Sequence, residues 1–108
     1  MILLMNSAMM PSDGTYSRKT VTKEVWRKLF QTNKSSGFKN YIWYTDACKY
    51  ASEILDEEIV LSREETDFRV GDIALILKLK YRIAPESKSQ NVHYSEKDYE
   101  FIVVEKKE

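Results

Sequence analysis

Residues 73–82 read IALILKLKYR, and this stretch decides the fold. On a β-strand, one face would carry the apolar side chains of Ile73, Leu75, Leu77, Leu79 and Tyr81. The opposite face would carry Ala74, Ile76, Lys78, Lys80 and Arg82. A period of two predicts a strand, with three cations lined up on one side toward its carboxyl end.

The segments around this strand predict a mixed sheet and two helices. Apolar, β-favouring runs predict strands at residues 2–6, 38–44 and 99–104, with an edge position open for the last. A polar strand at 15–21 and a short one at 58–61 bring the total to five or six. Thr22 and Thr45 are the predicted N-caps of two helices, one over residues 23–31 and one that begins after Thr45.

These elements predict a small α/β or α+β fold, a single domain spanning residues 1–108, with two main helices on one or both sheet faces. In the second helix, one apolar face places Cys48 in the core as a buried structural thiol. The face consists of Ala47, Cys48, Ala51, Ile54 and Leu55.

Composition excludes several classes of function. The chain has 108 residues, one Cys, one His and equal numbers of basic and acidic side chains, 17 of each. One Cys and one His cannot build a disulfide framework or a closed zinc site within one chain. No segment has the length of a membrane-spanning helix or the pattern of an export signal, so we expect a cytoplasmic protein without a metal or other cofactor.

The zero net charge conceals segregated charges. Residues 51–72 carry eight acidic and two basic groups, whereas residues 16–50 carry eight basic and two acidic groups. The overall balance argues against binding to duplex nucleic acid, but a local anion site stays open. The alternative for each charged run is a solvent-exposed face that binds no ligand.

Arginine and aromatic residues are the candidates for an anion or nucleotide site. Arg63 and Arg82, the latter beside Lys80, present planar guanidinium groups suited to phosphate oxygens. Tyr41, Trp43 and Tyr44 offer faces on which a base can stack. The alternative is that Tyr41 and Trp43 share the buried face of their strand, with Tyr44 pointing the other way.

The order of these residues resembles the viral ring nuclease family, small anti-CRISPR proteins that act on cyclic oligoadenylates of type III CRISPR systems. That family opens with a hydrophobic strand and an Asn, and later has an Ile-Gly-His strand end, an Asn-Arg pair, a Gly-Asp turn and a strand ending in Arg. The matching positions are Leu3-Leu4-Met5-Asn6-Ser7, Gly14-Thr15-Tyr16, Ile42-Trp43-Tyr44, Ser62-Arg63, Gly71-Asp72 and Tyr81-Arg82.

The resemblance implies an α/β homodimer whose two-fold cleft binds a cyclic oligonucleotide in the host cytoplasm. Its reaction needs no metal, because a ribose 2′-hydroxyl attacks the neighbouring phosphate in line. The residues that it implies as ligand contacts, for phosphates, sugars or bases, are Asn6, Ser7, Tyr44, Arg63, Lys80 and Arg82.

The main departure lies at the family's His, the proposed general acid, where this chain has Tyr44. Imidazole titrates near neutrality, whereas a phenol titrates near pH 10. His93 is the only imidazole available as a substitute, and Glu86 lies one residue beyond the position of the family's acidic group. We therefore expect a counter-defence protein that sequesters the messenger with little or no cleavage.

Two other functions remain open at this stage. The first is an active ring nuclease in which Tyr44 or His93 donates the proton. The second is an inhibitor that binds a defence protein through the acidic stretch 53–72. The sequence does not decide among the three, because sites rather than folds carry function.

Overall fold

Five strands form one mixed sheet in the computed structural model, which describes residues 1–6, 14–61, 68–80 and 96–107. The strands are β1 (Ile2–Met5), β2 (Tyr16–Val21), β3 (Phe38–Tyr41), β4 (Ile73–Leu79) and β5 (Tyr99–Lys106). Two helices accompany them, α1 (Lys23–Asn33) and α2 (Thr45–Leu55). This architecture confirms the predicted α/β fold class.

The strand order is β2-β5-β4-β1-β3, and four of the five strands have their carboxyl ends on the same side of the sheet. β1 runs parallel to both β3 and β4, while β5 runs antiparallel to β4 and β2. β1, β2, β3 and β4 therefore point the same way, and the two helices follow directly after β2 and β3. We call the side where these four strands end and both helices begin the carboxyl edge.

The alternation predicted for β4 is confirmed by its packing. Ile73, Leu75, Leu77 and Leu79 lie on the face that contacts the helices, and Ala74 and Ile76 lie on the opposite face. β4 is buried because β1 and β5 flank it on either side. Lys78 follows in register on the face away from the helices, and Lys80 lies just past the end of the strand.

Both helices cover the same face of the sheet. Trp26 and Phe30 of α1 are fully buried, and Trp26 meets Phe101 of β5 edge to face, with ring centroids 5.5 Å apart. α2 buries the predicted stripe around Cys48, with Ile54 at its partly buried margin. Among the described residues, Tyr16 and Phe68 pack over the second face, with ring centroids 5.4 Å apart.

Local signals explain where α1 and β4 begin. Thr22 caps α1 as predicted, because its Oγ1 accepts a hydrogen bond from the Val25 N–H at 3.2 Å. The turn predicted at Gly71-Asp72 precedes β4. Gly71 has a φ of 95° there, which favours glycine, and the Asp72 N–H donates to the Arg69 carbonyl at 3.0 Å.

Three predicted element positions are wrong. Strand β5 is interior rather than at an edge, because β2 pairs along its outer side. Residues 58–61 form no strand, since the Ile59 N–H donates to Ser52 Oγ and the Val60 carbonyl accepts from the Asn40 side chain. The N-cap of α2 is Tyr44, with Thr45 as its first helical residue.

The predicted ends of two elements also move. Helix α1 runs two residues beyond the predicted 31, to Asn33. Strand β4 has its last described strand residue at Leu79, and the predicted continuation through Arg82 lies outside the described residues. None of the helices seen in the described ranges has the length and hydropathy needed to cross a membrane.

Candidate functional site

The candidate site lies at the carboxyl edge, where β1 sits between its two parallel neighbours. Met5 is level with Tyr41 of β3 and with Ile76 of β4. Asn6 is therefore the first residue past the end of β1, at the centre of the parallel part of the sheet. Ligands of open α/β sheets bind in the crevice outside such strand ends.

The side-chain oxygen of Asn6 joins the end of β1 to the residues that follow β3. Its Oδ1 accepts a hydrogen bond from the Trp43 N–H at 3.1 Å. This bond settles the orientation of the amide, since the oxygen must face the N–H donor. Within the described part of the chain, Asn6 Nδ2 has no acceptor, so this central, partly exposed group can donate to a ligand.

The link between β3 and α2 is irregular, which corrects the prediction of a strand through residue 44. β3 pairs only with β1, and β1 ends at Met5, so residues beyond Tyr41 have no strand to pair with. Ile42 stays buried, whereas Trp43 and Tyr44 are 49% and 39% exposed. Trp43 therefore does not lie on the buried strand face with Tyr41.

The exposed link leads into the N-terminus of α2. The Tyr44 carbonyl accepts the first helical bond, from the Cys48 N–H at 3.0 Å, and the Tyr44 side chain itself makes no capping hydrogen bond. Uncapped N–H groups carry partial positive charge and favour a hydrogen-bond acceptor or anion nearby. The carboxylate of Asp46, in the first turn, offsets part of this potential.

Asn40 holds the link from behind, and the sequence alone did not single it out. Its Oδ1 accepts from the Ile42 N–H at 3.1 Å, while its Nδ2 donates to the Val60 carbonyl. Cys48 contributes too, because its thiol lies 3.6 Å from the Ile42 carbonyl and 3.5 Å from Asn40 Nδ2. The backbone before Trp43 is thus fixed at both N–H and carbonyl.

Cys48 is confirmed as a buried, structural residue. Burial raises the pKa of its thiol, and the hydrogen bond from Asn40 opposes that rise only in part. A thiol in its protonated form is a weak nucleophile. Its place in the site is therefore to support the link to α2.

Lys80 lies at the β4 side of the carboxyl edge. Because Met5 is level with Ile76, Asn6 is level with Leu77, and Lys80 is three residues farther along. At about 3.3 Å per residue, that separation is roughly 10 Å along the strand direction. The Lys80 N–H donates to the Asp98 carbonyl at 3.0 Å, and its side chain is exposed.

Carboxylates surround Tyr50 between α2 and the start of β5. Its ring stacks on Tyr99, with centroids 5.0 Å apart and planes inclined by 13°. Burial first, and then the charges of Glu96, Glu53 and Asp98, raise the pKa of Tyr50 to about 12. Lys23 offsets some of this negative charge, at 3.4 Å from Glu96.

The described residues include three of the predicted site residues and leave five outside. Asn6 and Tyr44 are brought together through the Trp43 backbone, and Lys80 lies apart on the same edge. The predicted residues outside the described ranges are Ser7, Arg63, Arg82, Glu86 and His93. Among the described side chains, no group of three or more His, Cys, Asp or Glu could hold a metal ion.

Comparison with known proteins identifies the family of the chain. The model of the STIV B116-like family matches residues 2–101, nearly the whole chain. The chain belongs to the STIV B116-like family. This is a viral protein family, and no functionally curated protein matches the chain.

A solved structure shares the fold. It is B116 of Sulfolobus turreted icosahedral virus, which superposes with a TM-score of 0.73 at 16% sequence identity. The match covers 95% of this chain and 97% of B116. At this identity the likeness is one of fold, so the site must be argued from this chain's own residues.

Proposed function

We propose that this STIV B116-like protein is a counter-defence protein that binds a cyclic oligonucleotide second messenger, of the cyclic oligoadenylate kind, and sequesters it with little or no cleavage. It acts in the host cytoplasm, as a homodimer whose two sites face one ligand. The observation that carries the proposal is the side-chain nitrogen of Asn6 at the centre of the carboxyl edge, which has no acceptor among the residues that the structure describes.

The chemistry of the edge supports a ligand with many hydrogen-bond acceptors and several negative charges. Asn6 Nδ2 and the N-terminus of α2, which its N-cap side chain leaves open, offer donors, and Lys80 adds a cation roughly 10 Å farther along. A single phosphate would not span this distance. An oligonucleotide presents a sugar, base and phosphate in repeat and can use these positions together.

Tyr44 supports binding over bond breaking. The resemblance to ring nucleases puts a general acid at this position, where a residue that titrates near neutrality serves best. A phenol ordinarily keeps its proton far above neutral pH. Since general acid catalysis is worth roughly 100- to 10,000-fold in rate, cleavage by this protein should be slow or absent.

Apolar side chains beside the edge strand β3 support association of two copies. Val60 and Leu61 are 64% and 39% exposed, although each is a large aliphatic residue. The Asn40 bond to the Val60 carbonyl holds this segment against β3. Burying such side chains against a second copy would remove apolar surface from water.

Calorimetry with a panel of cyclic nucleotides, including cyclic tetra-adenylate, tests the binding. We expect binding by the wild type, weaker binding by Asn6→Ala and Lys80→Ala, and unchanged binding by Lys28→Ala, an exposed lysine on α1 that serves as the control. Absence of binding at tens of micromolar would overturn the proposal.

Chromatography of the same mixtures separates sequestration from cleavage. We expect the cyclic ligand to be recovered intact over hours. Linear products formed by the wild type and lost in Tyr44→Phe, with binding retained, would instead establish an active ring nuclease. Sedimentation of the wild type and Leu61→Ser would measure the association of copies.

A further inference from the structure

Trp43 is exposed at the carboxyl edge in a way that its surroundings do not explain. Its side chain is 49% exposed, whereas Trp26, the other tryptophan, is fully buried and packed on Phe101. Within the described part of the chain, no aromatic ring stacks on Trp43. A large apolar side chain left in water is informative, because folding normally removes such surface.

The backbone of Trp43 is fixed although its side chain is exposed. Its N–H donates to Asn6 Oδ1 at 3.1 Å, and the residue before it is held by Asn40 and Cys48. The residue after it is the N-cap of α2. The indole is therefore attached to a rigid link. Little backbone entropy is lost when a ligand binds to it, because the link is already ordered.

We propose that Trp43 is the stacking platform for a base of the bound nucleotide. This inference rests on the proposed function and names how the ligand is held. One face of the indole lies against a flat heterocyclic base, and Asn6 Nδ2, on the residue bonded to Trp43, donates to the attached sugar or base. Stacking accepts any base, so Trp43 contributes affinity more than base identity.

The neighbours of Trp43 favour a nucleotide over a second protein copy as its partner. Ile42, before it in the chain, is buried, and the neighbours that reach solvent are Asn6, Tyr44 and Thr45, which carry polar atoms. Val60 and Leu61, the exposed aliphatic pair, are held on the flank of β3 instead. An aromatic face among hydrogen-bond donors is the usual arrangement for a base.

Two substitutions separate stacking from general apolar burial. Trp43→Phe keeps an aromatic face, whereas Trp43→Leu keeps an apolar side chain without one. Stacking of a base on an aromatic residue corresponds to roughly 5- to 150-fold in affinity. We expect Trp43→Leu to weaken binding of cyclic tetra-adenylate within that range, and Trp43→Phe to weaken it by only a few-fold.

A second measurement uses the fluorescence of the wild type. Iodide should quench Trp43 and leave the buried Trp26 unaffected, and bound adenosine 5′-monophosphate should protect Trp43 from iodide. Ribose 5-phosphate, which lacks a base, should give no protection. Equal protection by both compounds would overturn the stacking assignment.

The outcomes distinguish this inference from the proposed function. If the wild type binds no nucleotide, both fail. If Trp43→Leu binds cyclic tetra-adenylate as tightly as the wild type, only the stacking platform fails. If Trp43→Leu and Trp43→Phe lose binding equally and both sediment as smaller species, Trp43 contacts a second copy and the inference is overturned. Thermal unfolding of each variant confirms that the fold is kept.

Discussion

Tyr50 is predicted to make this protein sensitive to alkaline pH. Its phenol lies partly buried against Tyr99 and is surrounded by the carboxylates of Glu53, Glu96 and Asp98. Forming a phenolate there would place a fourth negative charge beside the three carboxylates. Burial would also keep part of the water away from that charge. The informative perturbation is Tyr50→Phe, which keeps the stacked ring and removes the ionisable group.

The effect of pH on stability follows from the difference between the pKa of Tyr50 in the folded and in the unfolded chain. The pKa of Tyr50 is about 12 in the folded protein and 10.0 as the reference for the unfolded chain. Below pH 10 both states hold the proton, and this group leaves stability unchanged. As pH rises from 10 to 12, the unfolded chain ionises first, so the free energy of unfolding falls.

The shift of two pH units sets an upper limit on this loss. At 1.36 kcal/mol per unit it would be about 3 kcal/mol. Solvent reaches part of the Tyr50 side chain and screens the neighbouring carboxylates, so the expected loss is about 1 kcal/mol. That loss should be absent in Tyr50→Phe.

Denaturant unfolding of wild type and variant, measured below pH 10 and again near pH 12, isolates this group. Other effects of high pH act on both proteins, so the quantity to compare is the difference in stability loss between the two. Tyr44→Phe, at the exposed link, serves as the control and should lose stability as the wild type does. An identical alkaline loss in the wild type and Tyr50→Phe would refute the reasoning.

Four further predictions concern local structure. Asp56 ends α2 with a φ of 50°, a conformation that favours glycine, so Asp56→Gly should raise the free energy of unfolding by about 0.5–1 kcal/mol. Gly71 has a φ of 95°, so for the same reason Gly71→Ala should lower the free energy of unfolding. Thr22→Ala removes the cap of α1 and should cost about 1 kcal/mol in denaturant unfolding, with Thr20→Ala as the exposed control. Cys48 should react with a thiol reagent far more slowly in the native protein than in denaturant, and equal rates would contradict its burial.

Much of the fold was predictable because its signals are local. Residues 73–79 alternate between two faces of the sheet, and both faces are covered. The residue types allowed on each face are therefore restricted. The stripe around Cys48 and the cap at Thr22 depend on neighbours within a few residues. These patterns are set by backbone geometry and survive in any compact arrangement of the chain.

The misplaced strands have a different cause, which is pairing or hydrogen bonding with residues of other elements. β3 stops at Tyr41 because its partner β1 stops at Met5. The segment at 58–61 is no strand because Asn40 and Ser52 take its hydrogen-bonding groups. A propensity for extended backbone cannot reveal such competitors, since they come from other elements.

Residue patterns alone were enough to predict a sheet with two helices, its central strand and the buried thiol, because burial and alternation restrict residue types position by position. Only the tertiary structure decided the strand order, and with it the meeting of Asn6 and Trp43, which lie 37 residues apart. It also decided that Trp43 faces water. Alternation along a strand predicts which face a side chain takes only while the strand has a partner, and β3 loses its partner before residue 43.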